Sequence, residues 1–158
     1  MEHQTFVLHA EPGVVRVSPY GFIHSAEAFL QAAQAIPRQD GFSPLVYYLI
    51  CRSLELALKA FALAKGDTVA SVKENLGHDL IKALERANAL CLAATSPILP
   101  VERSELVKAN AYYAGKGFEY FQVLKAVTGY PDLPSLIVLE SVAARLITAA
   151  KPVCVGCA

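Results

Sequence analysis

The chain has 158 residues, of which 54% are hydrophobic and 18% charged. This composition excludes a disordered chain and favours one domain with a well-buried core. Because 14 lysine and arginine residues balance 14 aspartate and glutamate residues, the whole chain has no net attraction for nucleic acid or an anionic membrane, and a phosphate site would need a local cluster of positive charge.

The first 17 residues differ from the rest of the chain. Thr5–His9 and Val14–Val17 are short β-prone runs around a Glu11-Pro12-Gly13 turn signal, so residues 1–17 are predicted to form a small hairpin or an arm. They lack the basic start and long apolar run of a secretory signal. No apolar run in the sequence is long enough for a membrane span. We therefore expect a cytosolic protein without membrane contact.

From Ser18 onward, the spacing of apolar residues predicts helices. Their expected ranges, with ends set by proline, glycine and capping signals, are Pro19–Ala35, Ser43-Pro44 to Gly66, Gly77–Asp79 to about Leu92, Val101–Tyr113, and Pro134 or Ser135 to about Lys151. A connector with at most one helical turn is expected over Asp67–Leu76. The pattern predicts an all-α, up-and-down bundle of four to five main helices over residues 18–151, followed by a tail over residues 152–158.

The four cysteines do not indicate a disulfide framework. Cys51 and Cys91 fall within helical patterns, where a free thiol packs as a small apolar group. Cys154 and Cys157 form a single CxxC in the predicted tail. Structural zinc needs four ligands, and the sequence has neither a second CxxC nor a paired histidine motif. We predict no metal and no cofactor; the alternative is a metal or redox role for this CxxC.

The second helix carries one polar stripe on an otherwise almost wholly apolar surface. Tyr48, Arg52, Glu55 and Lys59 are four, three and four residues apart, so they lie nearly in line. One interpretation is structural: Glu55–Lys59 and Arg52–Glu55 form favourable ion pairs along a solvated edge. The other is functional: Arg52 and Lys59 hold a phosphate, while Glu55 orients them or binds a sugar hydroxyl or a metal.

The Gly77-His78-Asp79 step is a second candidate. Gly77 permits unusual backbone dihedral angles, and Asp79 suits the first turn of the following helix. His78 has two alternatives. It either bonds a backbone carbonyl and joins two helices, or points towards Glu55 as a general base or ligand donor.

The segment Gly115-Lys116-Gly117 lies among aromatic residues. It could present a lysine and backbone N–H groups to an anion, and the aromatic rings could stack on bases. However, the sequence has neither the spacing of a phosphate-binding loop nor a basic patch nearby. We therefore predict core positions for the aromatic residues of this region, which are Tyr112, Tyr113, Phe118, Tyr120 and Phe121.

These motifs together resemble the HEPN superfamily, the nucleotide-binding-associated helical domain of higher eukaryotes and prokaryotes. The similar segments are, in order, Tyr47-Tyr48 leading into SLELALKAFALAKG, then LGHDLIKAL, ANAYYAGKGFEY and the helix after DLPSL, over roughly residues 20–150. The resemblance implies a bundle of four or five helices that often dimerises. Some members are RNA-cutting toxins or antiviral ribonucleases, and others pair with a small nucleotidyltransferase.

The ribonuclease members carry an arginine followed four to six residues later by a histidine, and none of the six arginines here meets that rule. The sequence therefore predicts a non-catalytic HEPN-like protein that binds a nucleotide or other phosphorylated ligand, or a partner protein, in a toxin–antitoxin or defence context. Its high apolar share favours a homodimer. The predicted ligand-binding residues are Tyr48, Arg52, Glu55, Lys59 and His78. The alternative is a degenerate or metal-dependent ribonuclease, in which His78 acts on RNA with Glu55 or Asp79.

Overall fold

The computed structural model describes residues 17–38, 42–119 and 129–156, and these ranges are helical with short connections. No strand occurs in them, so the predicted all-α class is confirmed. The hairpin or arm predicted for residues 1–17 lies outside the described residues, apart from Val17. The helices are α1 (Pro19–Ala35), α2 (Pro44–Ala64), α3 (Val69–Leu76), α4 (Leu80–Ala89), α5 (Pro100–Tyr113) and α6 (Leu136–Val155), with a 3-10 turn at Leu92–Ala94.

Local sequence signals set several helix ends. Pro19 and Pro44 occupy the first turns of α1 and α2, where the missing N–H of proline has no helical partner to lose. Gly66, at a φ of 105°, follows the last turn of α2. The hydroxyl of Thr68 accepts the N–H of Ser71 and caps α3. Ser43 precedes α2 as predicted, but its side chain makes no capping bond.

Helix α2 is the centre of the bundle. It packs against each of the other five helices of the described ranges. Every α2 residue from Ser53 to Leu63 is buried, including Glu55 and Lys59. A helix that is apolar almost all round is stable only when its whole circumference is covered. The Glu55–Lys59 part of the polar stripe is therefore buried, while Arg52 stays partly exposed. Both ion pairs of the structural interpretation are present, but they do not lie along a fully solvated edge.

Two helices differ from their predicted ranges. The predicted connector before Gly77 contains the two-turn helix α3. Helix α4 ends at Ala89 because the chain then turns through Cys91, which has a φ of 71° and is exposed. The prediction that Cys91 is buried within a helix is therefore wrong. The turn instead buries Leu92 in the core, at 1% exposure.

Helix α6 continues to Val155, beyond the predicted end near Lys151. Pro152 lies inside it and removes one helical hydrogen bond. The extension buries Cys154 completely, which offsets part of that cost. Cys154 is a core residue rather than part of a tail, while Cys157 lies outside the described residues. No helix of the described ranges is both long enough and apolar enough to cross a bilayer.

The segment 114–119 ends α5 instead of presenting an anion-binding loop. The N–H of Lys116 donates to the carbonyl of Tyr113, and that of Gly117 to the carbonyl of Tyr112. These two N–H groups are therefore satisfied within the protein. Tyr113 and Phe118 are buried, which confirms their predicted core positions. Tyr112, a third member of the predicted core group, is half-buried against the core. The last two members, Tyr120 and Phe121, lie outside the described residues.

A part-buried ion pair ties α5 to α6. Both carboxylate oxygens of Glu102 accept hydrogen bonds from Arg145, over 2.8 and 2.7 Å. One of them also accepts the N–H of Leu99 and so caps α5. The hydrogen bonds from Arg145 hold the pKa of Glu102 below its usual value. Here one guanidinium offsets the charge of one carboxylate, which is the ordinary form of a structural ion pair.

Candidate functional site

The carboxylate of Glu55 is the centre of a buried cluster. Arg52 Nη1 lies 3.1 Å from its Oε1 and 3.2 Å from its Oε2, and Lys59 Nζ lies 2.5 Å from Oε1. His78 Nδ1 is 3.1 Å from Oε2, and the hydroxyl of Tyr113 donates to that same oxygen. Glu55 is only 1% exposed, so these contacts replace water at both oxygens.

Glu55 is an ionised carboxylate. Burial by itself would raise its pKa, but the hydrogen bonds of Lys59 and Tyr113 and the positive charges of Lys59 and Arg52 outweigh burial and lower it. Burial, together with the neighbouring carboxylate, raises the pKa of Tyr113, whose hydroxyl is therefore a neutral donor. Since an ionised carboxylate only accepts hydrogen bonds, the groups around Glu55 act as donors.

Lys59 links the cluster to the turn that precedes α4. Its ammonium group donates both to Glu55 and to the carbonyl oxygen of Gly77. Gly77 has a φ of 52° and a ψ of −125°, a combination that side chains with a Cβ avoid. Gly77 therefore adopts the kind of unusual backbone conformation that a glycine is expected to permit here. The turn brings the next residue, His78, against Glu55.

The imidazole of His78 takes the second of its two predicted positions, beside Glu55. Its ring also meets the ring of Tyr113 edge-on, with centroids 6.2 Å apart. The side chain is 44% exposed. Asp79 lies outside this cluster because its Oδ1 accepts the N–H groups of Ile81 and Lys82 and caps α4, as its place in the first turn predicted.

A groove of about 510 Å³ opens over the cluster, between α1, α2, α3 and the turn at Gly77. Its lining consists of Phe22, Arg52, Glu55, Leu56, Lys59, Val69, Val72, Lys73, Gly77 and His78. Four of the five predicted ligand-binding residues are therefore in one place. The fifth, Tyr48, packs its ring against that of Tyr113 at 6.2 Å and is not part of the groove lining.

Besides aliphatic residues of the wall, sequence reasoning missed three side chains of this site that carry a polar group or an aromatic ring. Tyr113 was predicted only as a core residue, and the contact of its hydroxyl with Glu55 bridges 58 positions of chain. Lys73 lies on α3, a segment predicted as a connector. Phe22 had no distinguishing signal on α1. Val69, Val72 and Leu76 are three and four residues apart, a spacing that predicts a short amphipathic helix. This signal would have placed Lys73 on a helix surface, but not beside this groove.

The charge of the groove is unbalanced. Among the described residues that line it, the cations of Arg52, Lys59 and Lys73 face the single carboxylate of Glu55. Lys73 is exposed at the rim, and the side chain of Arg52 is 29% exposed. In the described ranges, no group of three or more histidine, cysteine, aspartate or glutamate side chains is placed to hold a metal ion.

No protein-family model, no curated protein and no solved structure matches this chain. The resemblance to the HEPN superfamily therefore stays a prediction that depends on the quoted motifs. The structure by its own geometry defines the following class of protein. It is an all-α protein in which a buried carboxylate organises two cations, a tyrosine and an imidazole at the floor of a basic groove.

Proposed function

We propose that this protein binds a phosphorylated small molecule, such as a nucleotide, in the groove over Glu55, and that it is a non-catalytic HEPN-like binding protein. The observation that carries the proposal is the excess of positive charge in that groove. It occurs in a chain whose overall charge balances to zero. Local charge of one sign inside a concave site attracts a ligand of the opposite sign.

A comparison with Glu102 supports a role beyond stability for the Glu55 cluster. At Glu102, the bidentate contact with Arg145 satisfies the carboxylate. At Glu55, Arg52 and Lys59 both contact the carboxylate, and Lys73 adds a third cation to the same groove. Like charges held close together cost free energy unless an anion offsets them. A bound phosphate would supply that anion.

The shape of the groove suits a ligand that is anionic at one end and apolar at the other. Arg52 contacts Glu55 through Nη1, and a guanidinium carries three further N–H groups on Nη2 and Nε that suit phosphate oxygens. Phe22 offers a ring on which a base can stack, and Leu56 and Val72 extend the apolar wall. The volume of about 510 Å³ falls within the range of ligand pockets.

We expect phosphate, AMP, ADP or ATP to raise the melting temperature of the wild-type protein, since a ligand that binds the folded state stabilises it. Arg52→Ala and Lys73→Ala should each weaken binding about tenfold or more, measured by calorimetric titration, because a hydrogen bond to a charged group contributes roughly 1.5–3 kcal/mol. Matched controls are Arg103→Ala and Lys82→Ala, which remove exposed cations outside the groove. The absence of any shift across the panel, or an equal loss in the controls, contradicts the proposal.

The biological setting is part of the same proposal and depends on the sequence. The resemblance and the high apolar share support a cytosolic homodimer that pairs with a partner protein such as a nucleotidyltransferase. A toxin–antitoxin or defence context follows from the same resemblance. The groove supports the small-molecule part of the proposal independently of that resemblance.

One observation favours a second candidate, a ribonuclease that uses His78 with Glu55. A carboxylate that holds one nitrogen of an exposed imidazole orients the ring for general base catalysis at the other nitrogen. Asp79 has no part in this version, because it caps α4. Cys51, one turn before Glu55, is no nucleophile, since burial raises the pKa of its thiol.

Incubation of the pure protein with single-stranded and structured RNA tests this second candidate. Cleavage that is lost in His78→Ala and kept in His24→Ala would establish it and overturn the non-catalytic proposal. His24 is a suitable control because it is exposed on α1 and does not line the groove. Intact RNA in every sample removes the candidate.

A further inference from the structure

We propose that His78 is a proton-dependent hydrogen-bond donor to a bound anion. When the phosphate or sulfate group of a ligand occupies the groove, Nε2 of His78 takes up one proton from solvent. Binding therefore tightens as the pH falls. This inference rests on the proposed function, because it assigns a role to one residue of the same groove. It specifies an oxyanion as the group that is recognised, and it separates His78 from the permanently charged residues around it.

The position of the first imidazole proton follows from Glu55. The carboxylate is ionised and accepts a hydrogen bond from Tyr113 at the same oxygen that Nδ1 of His78 approaches. Two acceptors facing each other would repel, so Nδ1 carries the proton of the neutral imidazole. Nε2, the other ring nitrogen, then carries a lone pair.

That lone pair repels the oxygen atoms of an anion, whereas a protonated Nε2 donates a hydrogen bond to them. Protonation requires no rearrangement, because Nδ1–H keeps its contact with Glu55 in both states. The side chain is 44% exposed and lines the groove, so solvent can supply the proton. The bond formed is N–H at Nε2, and no bond of the ligand breaks.

The charged and hydrogen-bonding groups around His78 come from three helices. Helix α2 contributes Arg52, Glu55 and Lys59, α3 contributes Lys73 across the groove, and α5 contributes the neutral hydroxyl of Tyr113. A bound dianion adds two negative charges beside the ring and so favours the imidazolium.

Asp79, the next residue along the chain, does not affect the charge of the imidazole ring through a direct contact. The carboxylate of Asp79 accepts the backbone N–H groups of Ile81 and Lys82 and the side-chain amide of Asn110. These bonds turn it towards α4 and α5. Lys59 has a positioning role, since it holds the carbonyl of Gly77 and thereby fixes the turn that carries His78.

Inorganic sulfate is the probe that tests the inference, because it stays a dianion throughout the range in which imidazole titrates. We expect the affinity for sulfate, measured by calorimetry, to fall about tenfold from pH 5 to pH 8. In buffers of different ionisation enthalpy, the heat should show proton uptake. His78→Asn keeps an N–H donor for Glu55 and lacks Nε2, so its affinity should not vary with pH. His24→Asn is the matched control and should behave as wild type.

The outcomes separate this inference from the proposed function. Nitrogen-15 NMR of the ligand-free protein reports the tautomer of His78 directly, and a neutral ring with its proton on Nε2 overturns the inference. So does sulfate affinity that is independent of pH, or a lack of sulfate binding. In each case the proposed function stands if nucleotides still bind with the expected loss in Arg52→Ala. If neither sulfate nor any nucleotide binds, both proposals fall.

Discussion

Replacing Glu55 by glutamine should lower the free energy of unfolding by about 3–5 kcal/mol, because removing one partner of a buried ion pair leaves the other charge buried and uncompensated. The charge left behind is mainly that of Lys59, whose side chain is 9% exposed. For a chain of this size, the melting temperature should fall by roughly 10 °C. Urea denaturation at neutral pH measures the change.

Two variants control for this result. Glu27→Gln removes one partner of the exposed pair Glu27–Lys151, and should cost less than about 1 kcal/mol. The double variant Glu55→Leu with Lys59→Met replaces the buried charges by apolar groups, which is often neutral or stabilising, so it should recover much of the lost stability. If Glu55→Gln alone unfolds at the wild-type urea concentration, the buried cluster does not stabilise the fold.

The same substitution should change how stability depends on pH. The folded state depresses the pKa of Glu55 below its usual value. The stability that this gives is present above the unfolded pKa of about 4.3 and is lost as the pH falls through the lower folded value. Between neutral pH and acid, wild type should therefore lose more stability than Glu55→Gln. Melting curves at a series of pH values test the sign of that difference.

Gly77→Ala should destabilise the fold by about 1–3 kcal/mol and also impair ligand binding, because an alanine avoids the backbone conformation of this glycine. An added Cβ would have no other atom within 4 Å, so the cost is conformational and not a clash. A relaxed turn moves His78 away from Glu55 and withdraws the carbonyl that accepts from Lys59. Both changes act on the floor of the groove.

Gly66→Ala is the matched control for backbone strain. Gly66 also has a positive φ and open space where an added Cβ would lie, and it ends α2 away from the groove. Both variants should lower the melting temperature, but only Gly77→Ala should weaken phosphate binding in calorimetric titrations. Equal affinity in the two variants would show that the turn at Gly77 does not position the site.

The features of the fold that depend on short-range order could be predicted from the amino-acid sequence alone. The bounds of α1 follow from its apolar spacing and from Pro37, and those of α2 from Pro44 and Gly66. The alignment of Arg52, Glu55 and Lys59 follows from helical geometry alone, since residues three and four apart lie on one face. Even the central place of α2 was predictable, because a helix with so few polar residues must be covered on all sides.

The groups that surround that stripe, in contrast, follow from how distant segments pack together. The hydroxyl of Tyr113, the imidazole of His78 and the ammonium of Lys73 come from other segments of the chain, and periodicity within one helix carries no information about which neighbour packs against it. The choice between the two positions of His78 depended on the turn at Gly77 and its contact with Lys59. Whether a line of charges becomes a solvated edge or the floor of a groove is set by how the helices pack, because packing determines which side chains lose their water.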